Sequence, residues 1–431
     1  MKRYGVVVFL VILQLGHLLP AEDWPQWRGP RRDGTWNETD VVEKFAEKQL
    51  PLRWKAPVGP GYSGPSVAAG RVFVTDRQRS EGKSTERILC FDEQTGKQLW
   101  VVEYPCEYIK VGYEAGPRAT VTVDGDYAYS LGAMGHIHCV ATSSGEVVWK
   151  RDLYTEYDIQ MPIWGVSGAP LVVGNDLILH VGGNAGACIV ALDKRTGKEH
   201  WRALNERAQY ATPLLIEQAG RQVVVCWTGD SVAGLAPGDG KVLWRHEFRP
   251  RKMPIGVATP ILDKNRLFLT SFYDGSLMLK LSTESTTVEK MWERCGASET
   301  QTDALQSIIS TPIFFNDYIY GVDSYGELRC LDPANGDRLW EDLTATPKSR
   351  WSTIHFVRNA DKVWMFNERG ELIISRLSPK GFEEISRAKL IEPTRGQLNQ
   401  RGGVCWSHPA YANRHIFIRN DESIVCASLA R

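Results

Sequence analysis

The sequence predicts an all-β protein, an eight-bladed β-propeller whose ring is closed by pairing of its N-terminal and C-terminal strands. Three observations favour this fold. Tryptophan recurs at nearly constant spacing, a short strand-forming run accompanies each recurrence, and the first and last repeats are each incomplete. A repeat of about 40 to 50 residues is typical of one four-stranded propeller blade.

The tryptophan repeat sets the number of blades. Seven tryptophans follow one another at steps of 46, 49, 52, 43, 48 and 48 residues, and Ile385 takes the next place 45 residues on. They are Trp54, Trp100, Trp149, Trp201, Trp244, Trp292 and Trp340. A buried indole removes up to about 200 Å² from water. We therefore interpret these tryptophans as structural, docking one blade against the next.

Short runs of β-branched and aromatic residues supply the strands of each repeat, because these residue types favour extended structure. The runs are residues 72–74, 127–129, 177–179, 223–225, 267–269, 318–320, 363–365 and 416–418. A small residue followed by proline opens most repeats, as at Thr212-Pro213 and Thr259-Pro260. Proline lacks a ladder donor, so the motif indicates where a strand begins.

The two ends of the repeat region complement each other. Trp54 has no blade before it, whereas residues 407–429 contain strands but no closing tryptophan. Pairing of residues 52–56 with the C-terminal strands would complete the eighth blade and leave no open sheet edge. The sequence thus predicts a propeller over residues 50–431 that both termini close.

The N-terminus predicts export. Lys2 and Arg3 precede an apolar run at residues 6–15, and a cleavage site near Ala21 ends a signal peptide over residues 1–21. Residues 22–49 form a Trp/Pro-rich leader that we expect to pack on the ring. No later stretch approaches the ~20 apolar residues of a transmembrane helix. We expect a periplasmic or secreted protein without a transmembrane segment.

Charge argues against one class of partner. Lys and Arg total 51 and Asp and Glu total 51, so the formal net charge is +0. Such a chain has no bulk electrostatic attraction for a polyanion. We expect no nucleic-acid partner.

One segment carries a family resemblance. Residues 191–201 resemble the docking motif of the pyrroloquinoline quinone (PQQ) repeat family, Ala-x-Asp-x-x-Thr-Gly-Lys-x-x-Trp, at every defined position. Residues 90–100 differ only by Cys for Ala, and residues 139–149 and 330–340 keep part of the motif. The resemblance covers residues 50–431 and implies a propeller of the quinoprotein alcohol dehydrogenase-like type. The opening Trp-Pro-Gln-Trp-Arg-Gly-Pro at residues 24–30 resembles the start of exported bacterial PQQ-like proteins of unassigned function.

The resemblance implies two kinds of protein. One is the quinoprotein dehydrogenase, which holds PQQ and calcium in the central channel and typically carries a disulfide between adjacent cysteines. This sequence has no adjacent cysteines. The other is the non-catalytic, BamB-like propeller that binds other proteins. We favour an exported BamB-like scaffold with no expected cofactor, whose partners are exported or envelope proteins or a small ligand. A PQQ/calcium-dependent oxidoreductase is the alternative, and a glycan-binding propeller the second alternative.

Residues just before the innermost strands are the candidates for binding, because those strands line the channel and their connections form its mouth. Aromatic residues and arginine dominate binding hot spots. The candidates are Tyr62, Arg118, Tyr210, Trp351, Trp406 and His408. The alternative is that these side chains pack long loops over the ring. No catalytic residue and no metal ligand is assigned.

Nine cysteines in an exported chain leave disulfide pairing open. Four of them occupy the repeat position that Ala191 and Gly234 fill elsewhere, so we expect small buried residues there. They are Cys90, Cys139, Cys330 and Cys426. His136 and His138 lie on one face of a strand, but without a third ligand the spacing predicts no metal site.

Overall fold

The computed structural model describes residues 22–431, so the signal peptide predicted at residues 1–21 lies outside the described residues. The described chain forms eight four-stranded sheets and one short helix, α1 (Leu153–Glu156). Neighbouring strands in each sheet are antiparallel, and so is the pair formed by the first and last strands of the chain. The predicted eight-bladed propeller is confirmed.

The strands follow the chain in blade order. β1 (Leu52–Pro57) precedes the first complete blade. Blade 1 comprises β2 (Ser66–Ala68), β3 (Arg71–Ser80), β4 (Lys83–Asp92) and β5 (Gln98–Pro105). Blade 2 comprises β6 (Thr122–Asp124), β7 (Tyr127–Leu131), β8 (His136–Ala141) and β9 (Val147–Asp152). Blade 3 comprises β10 (Leu171–Val173), β11 (Asp176–His180), β12 (Ile189–Asp193) and β13 (Glu199–Ala203). Blade 4 comprises β14 (Leu214–Gln218), β15 (Arg221–Trp227), β16 (Ser231–Leu235) and β17 (Val242–Glu247).

The second half repeats this plan. Blade 5 comprises β18 (Ile261–Asp263), β19 (Arg266–Ser271), β20 (Gly275–Leu281) and β21 (Val288–Arg294). Blade 6 comprises β22 (Ile313–Phe315), β23 (Tyr318–Val322), β24 (Leu328–Leu331) and β25 (Arg338–Asp342). Blade 7 comprises β26 (Ile354–Asn359), β27 (Lys362–Asn367), β28 (Glu371–Ser378) and β29 (Gly381–Lys389). Blade 8 comprises β30 (Ala410–Ala412), β31 (His415–Arg419), β32 (Ser423–Ser428) and β1.

The innermost strand of each blade is its first, since β2 contacts β6 on one side and β30 on the other. These strands begin one residue after the proline of the repeat motif, as at Leu214, Ile261 and Ile313. Proline has no N–H for the ladder, so pairing begins with the residue that follows it.

The ring closes as predicted. β1 pairs with β32, with Trp54 opposite Cys426 and Pro57 opposite Ser423. Arg419 forms hydrogen bonds across the seam between blades 8 and 1. Its side chain is fully buried and donates to the carbonyl of Thr75 at 3.1 Å and to that of Gly59. At this seam the backbone hydrogen bonds between β1 and β32 are complete. In addition, a buried side chain of blade 8 is hydrogen-bonded across to blade 1.

The repeat tryptophans lie on the outermost strands and reach the next blade. Six indole N–H groups donate to a backbone carbonyl in the following blade's outer turn. The pairs are Trp54 with Glu93 at 2.8 Å, Trp100 with Thr142 at 3.0 Å, Trp149 with Lys194 at 3.0 Å, Trp201 with Pro237 at 2.8 Å, Trp292 with Pro333 at 2.9 Å and Trp340 with Ser378 at 2.8 Å.

The turn glycine makes room for the ring. Gly197 has a φ of +71°, and a Cβ there would lie 2.7 Å from the Trp149 ring. Within its own blade, each tryptophan except Trp292, which lies opposite Met278, faces a small residue beside a β-bulge. Cys90 faces Trp100 in this way and Ala191 faces Trp201. The four cysteines expected at this position are all fully buried.

Blade 4 departs from the pattern. Trp244 packs over Gly234 of its own blade, where a Cβ would lie 2.3 Å from the indole. Its N–H donates to Gln218 Oε1 at 2.8 Å, and Gln218 Nε2 donates to the carbonyls of Thr287 at 2.7 Å and Ser285 at 3.3 Å. The blade 5 segment is two residues longer than the motif and has no turn glycine, so a glutamine spans the gap.

The leader packs on the ring. Trp24 and Val67 exchange two backbone hydrogen bonds of 2.9 Å, and Trp36 N donates to Arg358 O at 2.8 Å. Both tryptophans are fully buried. Because Val67 and Arg358 lie toward the C-terminal ends of inner strands, the leader covers the face opposite the residues that precede those strands.

Replacing Gln218 with alanine should lower the free energy of unfolding by about 1–3 kcal/mol, because Trp244 Nε1 and the two blade 5 carbonyls lose a buried partner. Urea unfolding would measure the change. Gln222→Ala, at an exposed position of the same hairpin, is the matched control. Equal stabilities of the two variants would contradict the bridging role of Gln218.

Candidate functional site

A cavity of about 150 Å³ occupies the central channel at the face where the inner strands begin. All six predicted candidates line it: Tyr62, Arg118, Tyr210, Trp351, Trp406 and His408. Ser167, Val257 and Ile309, which hold the corresponding position in other blades, line it as well. The propeller's rotational repetition explains this convergence, since one position in each repeat faces one axis.

The cavity has a floor that the sequence did not reveal. Trp27 of the leader lies in the channel, where its indole N–H donates to Thr259 Oγ1 at 2.9 Å. Its ring meets that of His408 edge to face at a centroid distance of 4.2 Å. The leader is rich in tryptophan, but no periodicity distinguishes the one that enters the channel. The cavity is therefore open at the mouth and closed below by the indole of Trp27.

Aromatic rings form most of the wall. Trp351 lies at the centre of this cluster, with ring centroids 5.8 Å from Tyr113, 5.9 Å from Trp164 and 6.5 Å from Trp406. Tyr113 and Trp164 come from long connections between blades, which the sequence predicts to add aromatic residues to the rim of the mouth. The contacts alternate between tilted and edge-on geometries, which aromatic pairs prefer. The wall is thus an interlocked aromatic cluster.

Trp351 is held in an unfavourable backbone conformation. Its φ is +67°, which costs a bulky residue about 1–3 kcal/mol. The surroundings offset this cost: Trp351 N donates to Ser324 O at 2.8 Å, and the Arg350 guanidinium lies 4.3 Å from the indole centroid. Glu299 accepts two hydrogen bonds of 2.9 Å from Arg350. The Glu299–Arg350 ion pair therefore positions the Trp351 side chain at the mouth.

Arg118 lines the cavity, but its guanidinium is hydrogen-bonded to backbone carbonyls and has few donors left for a ligand. It donates to the carbonyls of Gly116 at 2.6 Å, Gly112 at 2.8 Å and Tyr113 at 2.5 Å, and its guanidinium lies 5.0 Å from the Tyr62 centroid. Both terminal nitrogens are engaged by backbone. Arg118 thus holds the connection between blades 1 and 2 in place while it lines the cavity.

Two histidines of the wall are neutral at physiological pH. Burial lowers the pKa of His355 from its ordinary value near 6.5 to about 4, and burial lowers the pKa of His408 to about 3. The Nε2 of His355 lies 2.8 Å from Trp406 O, and that of His408 lies 2.7 Å from Thr120 Oγ1. These histidines anchor the aromatic wall and bring no charge.

The donor set does not fit PQQ with calcium. PQQ is a tricarboxylate, and calcium takes six to eight oxygen ligands, chiefly carboxylates and carbonyls. No carboxylate lines the mouth cavity, and its one cationic side chain is occupied by backbone carbonyls. Within residues 22–431, no group of three or more His, Cys, Asp or Glu side chains is placed to hold a metal ion.

The two histidines on one strand lie away from the channel. His138 is buried and stacks on Tyr104 at a centroid distance of 4.2 Å. His136 Nδ1 lies 3.8 Å from Cys106 Sγ. All nine cysteines are within the described residues, and none of them forms a disulfide there.

Comparison with known proteins agrees with the fold. A family model described as outer membrane protein assembly factor BamB matches residues 84–342. The assembly factor BamB of Alteromonas naphthalenivorans is 27% identical over 226 residues, which make up 49% of this chain and 52% of that protein. The chain therefore matches about half the length of this relative.

Solved structures give the same picture. BamB from Moraxella catarrhalis has a TM-score of 0.58 at 14% identity, covering 88% of this chain and 99% of that one. Quinohemoprotein alcohol dehydrogenase from Comamonas testosteroni has a TM-score of 0.62 at 13% identity, covering 95% and 80%. At these identities the likeness shows the fold alone. No helix in the described part of the chain is long and apolar enough to cross a membrane.

The neutral wall histidines predict a pH dependence of stability. An unfolded histidine takes up a proton near pH 6.5, whereas folded His355 does so only near pH 4, so the free energy of unfolding falls as pH drops between these values. His355→Gln should reduce this pH-dependent decrease in the free energy of unfolding by up to about 1.4 kcal/mol per pH unit. Urea unfolding of both proteins between pH 7 and 4.5 would measure it, and parallel curves would contradict it.

Proposed function

The chain belongs to the family of the outer membrane protein assembly factor BamB, as its repeats predicted, and from that premise we propose that it is a non-catalytic binding scaffold of the cell envelope. Its mouth cavity receives one aromatic or large aliphatic side chain of a partner polypeptide. The aromatic, largely charge-free lining of this cavity carries the proposal.

The size of the cavity favours a single side chain. A cavity of about 150 Å³ with apolar walls is large enough to bind one benzene ring. The mouth cavity is of this size, and Trp27 closes it below. An extended cofactor or oligomer would reach beyond it, whereas one ring or branched aliphatic group would fill it. Fully desolvated pockets that accept such an anchor are typical of interface hot spots.

Exposed apolar residues around the mouth support a polypeptide partner. Ile109, Ile163 and Met253 are exposed on connections that precede inner strands. Gly112 N donates to Ile163 O at 2.6 Å, which ties two of these connections together. Aromatic residues and methionine are enriched where proteins bind one another. A partner could therefore place one anchor in the cavity while it covers the apolar rim.

The two alternatives find less support. PQQ with calcium does not match the donor set, although solved dehydrogenases share the fold. A glycan needs convergent polar groups that are free to bond its hydroxyls. Here Thr212 Oγ1 accepts from Ala169 N at 3.1 Å, Thr120 Oγ1 pairs with His408, and Ser167 Oγ donates to Tyr210 O at 3.3 Å. These serine and threonine hydroxyls of the cavity are thus engaged within the protein.

The family also supports a location. BamB is described as an outer membrane assembly factor, and the sequence predicts export through residues 1–21, which lie outside the described residues. We place the mature protein in the periplasm, with partners among exported or envelope proteins.

Panning of a random peptide library on the mature protein should enrich peptides that share an aromatic or large aliphatic residue. The cavity's own tryptophans report binding through their fluorescence. We expect Trp406→Ala to weaken the enriched peptides by at least ~10-fold, because it removes one wall of the cavity. Leu339→Ala, at an exposed apolar position on outer strand β25, is the matched control.

Peptides without a shared apolar residue, or equal affinities for both variants, would contradict the proposal. The same fluorescence assay, run with PQQ and calcium, tests the dehydrogenase alternative. Saturable binding at micromolar concentration or below would favour that alternative and count against the scaffold.

A further inference from the structure

A second cavity, of about 170 Å³, lies on the opposite face, where the leader meets inner strands β14, β18 and β22. Four arginines line it, namely Arg28, Arg31, Arg32 and Arg358, together with a single carboxylate, Asp33. This charge composition is unlike that of the mouth cavity and serves no purpose in the proposed scaffold function.

Arg32 is buried without an acidic partner. Its side chain is 3% exposed, and its guanidinium donates to Gln26 Oε1 at 2.8 Å, to Pro213 O at 3.4 Å and to Pro170 O. All of these acceptors are neutral. Burial lowers the pKa of Arg32 to about 9, so the group still carries its charge at neutral pH. A buried cation without a counter-charge is costly.

Arg28 is buried with most of its donors unused. Its side chain is 8% exposed, and Nη2 donates to Asp33 O at 3.0 Å. A guanidinium has five N–H donors in a fixed fork. No other hydrogen bond from the Arg28 guanidinium is formed among the described residues, and the remaining donors are available to the cavity that Arg28 lines.

The one carboxylate is shared. Asp33 Oδ2 lies 3.3 Å from Arg358 Nη2 and 3.7 Å from Arg31 Nε. Arg31 also pairs with Glu22 at 2.9 Å, outside the cavity lining. Neither Arg28 nor Arg32 donates a hydrogen bond to a carboxylate or forms an ion pair with one. The cavity therefore has an excess of positive charge on groups that the fold holds in place.

We propose that this cavity is a phosphate-binding site, in which the unused N–H groups of Arg28 bind an oxyanion carried by free phosphate or by a phospholipid headgroup. Arg32 and Arg358, whose terminal nitrogens are bonded within the protein, add positive charge to the site. Guanidinium forks match the geometry of phosphate oxygens, which free phosphate and a phosphodiester headgroup share. The site is independent of the mouth cavity, so either proposal can fail alone.

Titration calorimetry of the mature protein with inorganic phosphate, at constant ionic strength set with sodium chloride, tests the site. We expect saturable binding to one site, weaker binding of acetate, and a rise of the thermal unfolding midpoint with phosphate. Arg28→Gln should weaken the binding of phosphate at least ~10-fold, since a hydrogen bond to a charged group is lost. Arg195→Gln, an exposed arginine outside the cavity, should bind like wild type.

Flotation with vesicles of phosphatidylglycerol, compared with phosphatidylcholine, distinguishes the source of the phosphate. Binding to anionic vesicles that Arg28→Gln abolishes would assign a headgroup. Arg28→Lys, which keeps the charge, provides a second variant if the glutamine variant unfolds in chloride alone. Absence of binding to both phosphate and vesicles, or binding that Arg28 substitutions leave unchanged, would overturn the proposal.

Discussion

The structure depends on the contact between each outer-strand indole and the turn of the next blade. The indole N–H of Trp201, for example, needs a partner once the ring is buried, and the carbonyl of Pro237 supplies it at 2.8 Å. Each such contact fixes the angle between two blades, and eight blades at a constant angle form a ring. Where the turn changes, as in blade 5, Gln218 restores the bond. The positions of the channel-facing residues that precede the inner strands follow from this docking.

The leader breaks the symmetry of the ring. Trp27 closes the apolar chamber at the mouth from below, and a cationic chamber lies on the opposite face, between the leader and inner strands β14, β18 and β22. Burial acts differently on the ionisable groups of the two chambers. His355 loses its proton on burial, whereas Arg28 and Arg32 keep theirs because the guanidinium pKa starts so high. The mouth chamber therefore has a single charged side chain, Arg118, whereas four arginines line the other chamber.

The candidate site was predictable to the extent that it follows the repeat. Tyr62, Tyr210 and Trp406 each hold the place before an inner strand, so the repeat period alone brings them to the axis. Trp27, Tyr113 and Trp164 have no such position. They belong to the leader or to long connections, whose paths depend on tertiary packing rather than on a period, so the repeat does not locate their side chains in the wall.

The sequence by itself determined the blade number, the closing strand and the buried small residues opposite the tryptophans, because these depend on periodic patterns and on pairing of consecutive strands. Only the tertiary structure decided which side chains enter the channel from the leader. The left-handed conformation of Trp351 likewise depends on Ser324 and on Glu299, which holds the neighbouring Arg350, and both lie far from Trp351 in the chain. Contacts between residues far apart in the chain set these features, and the burial and charge of each cavity arise only when those residues meet.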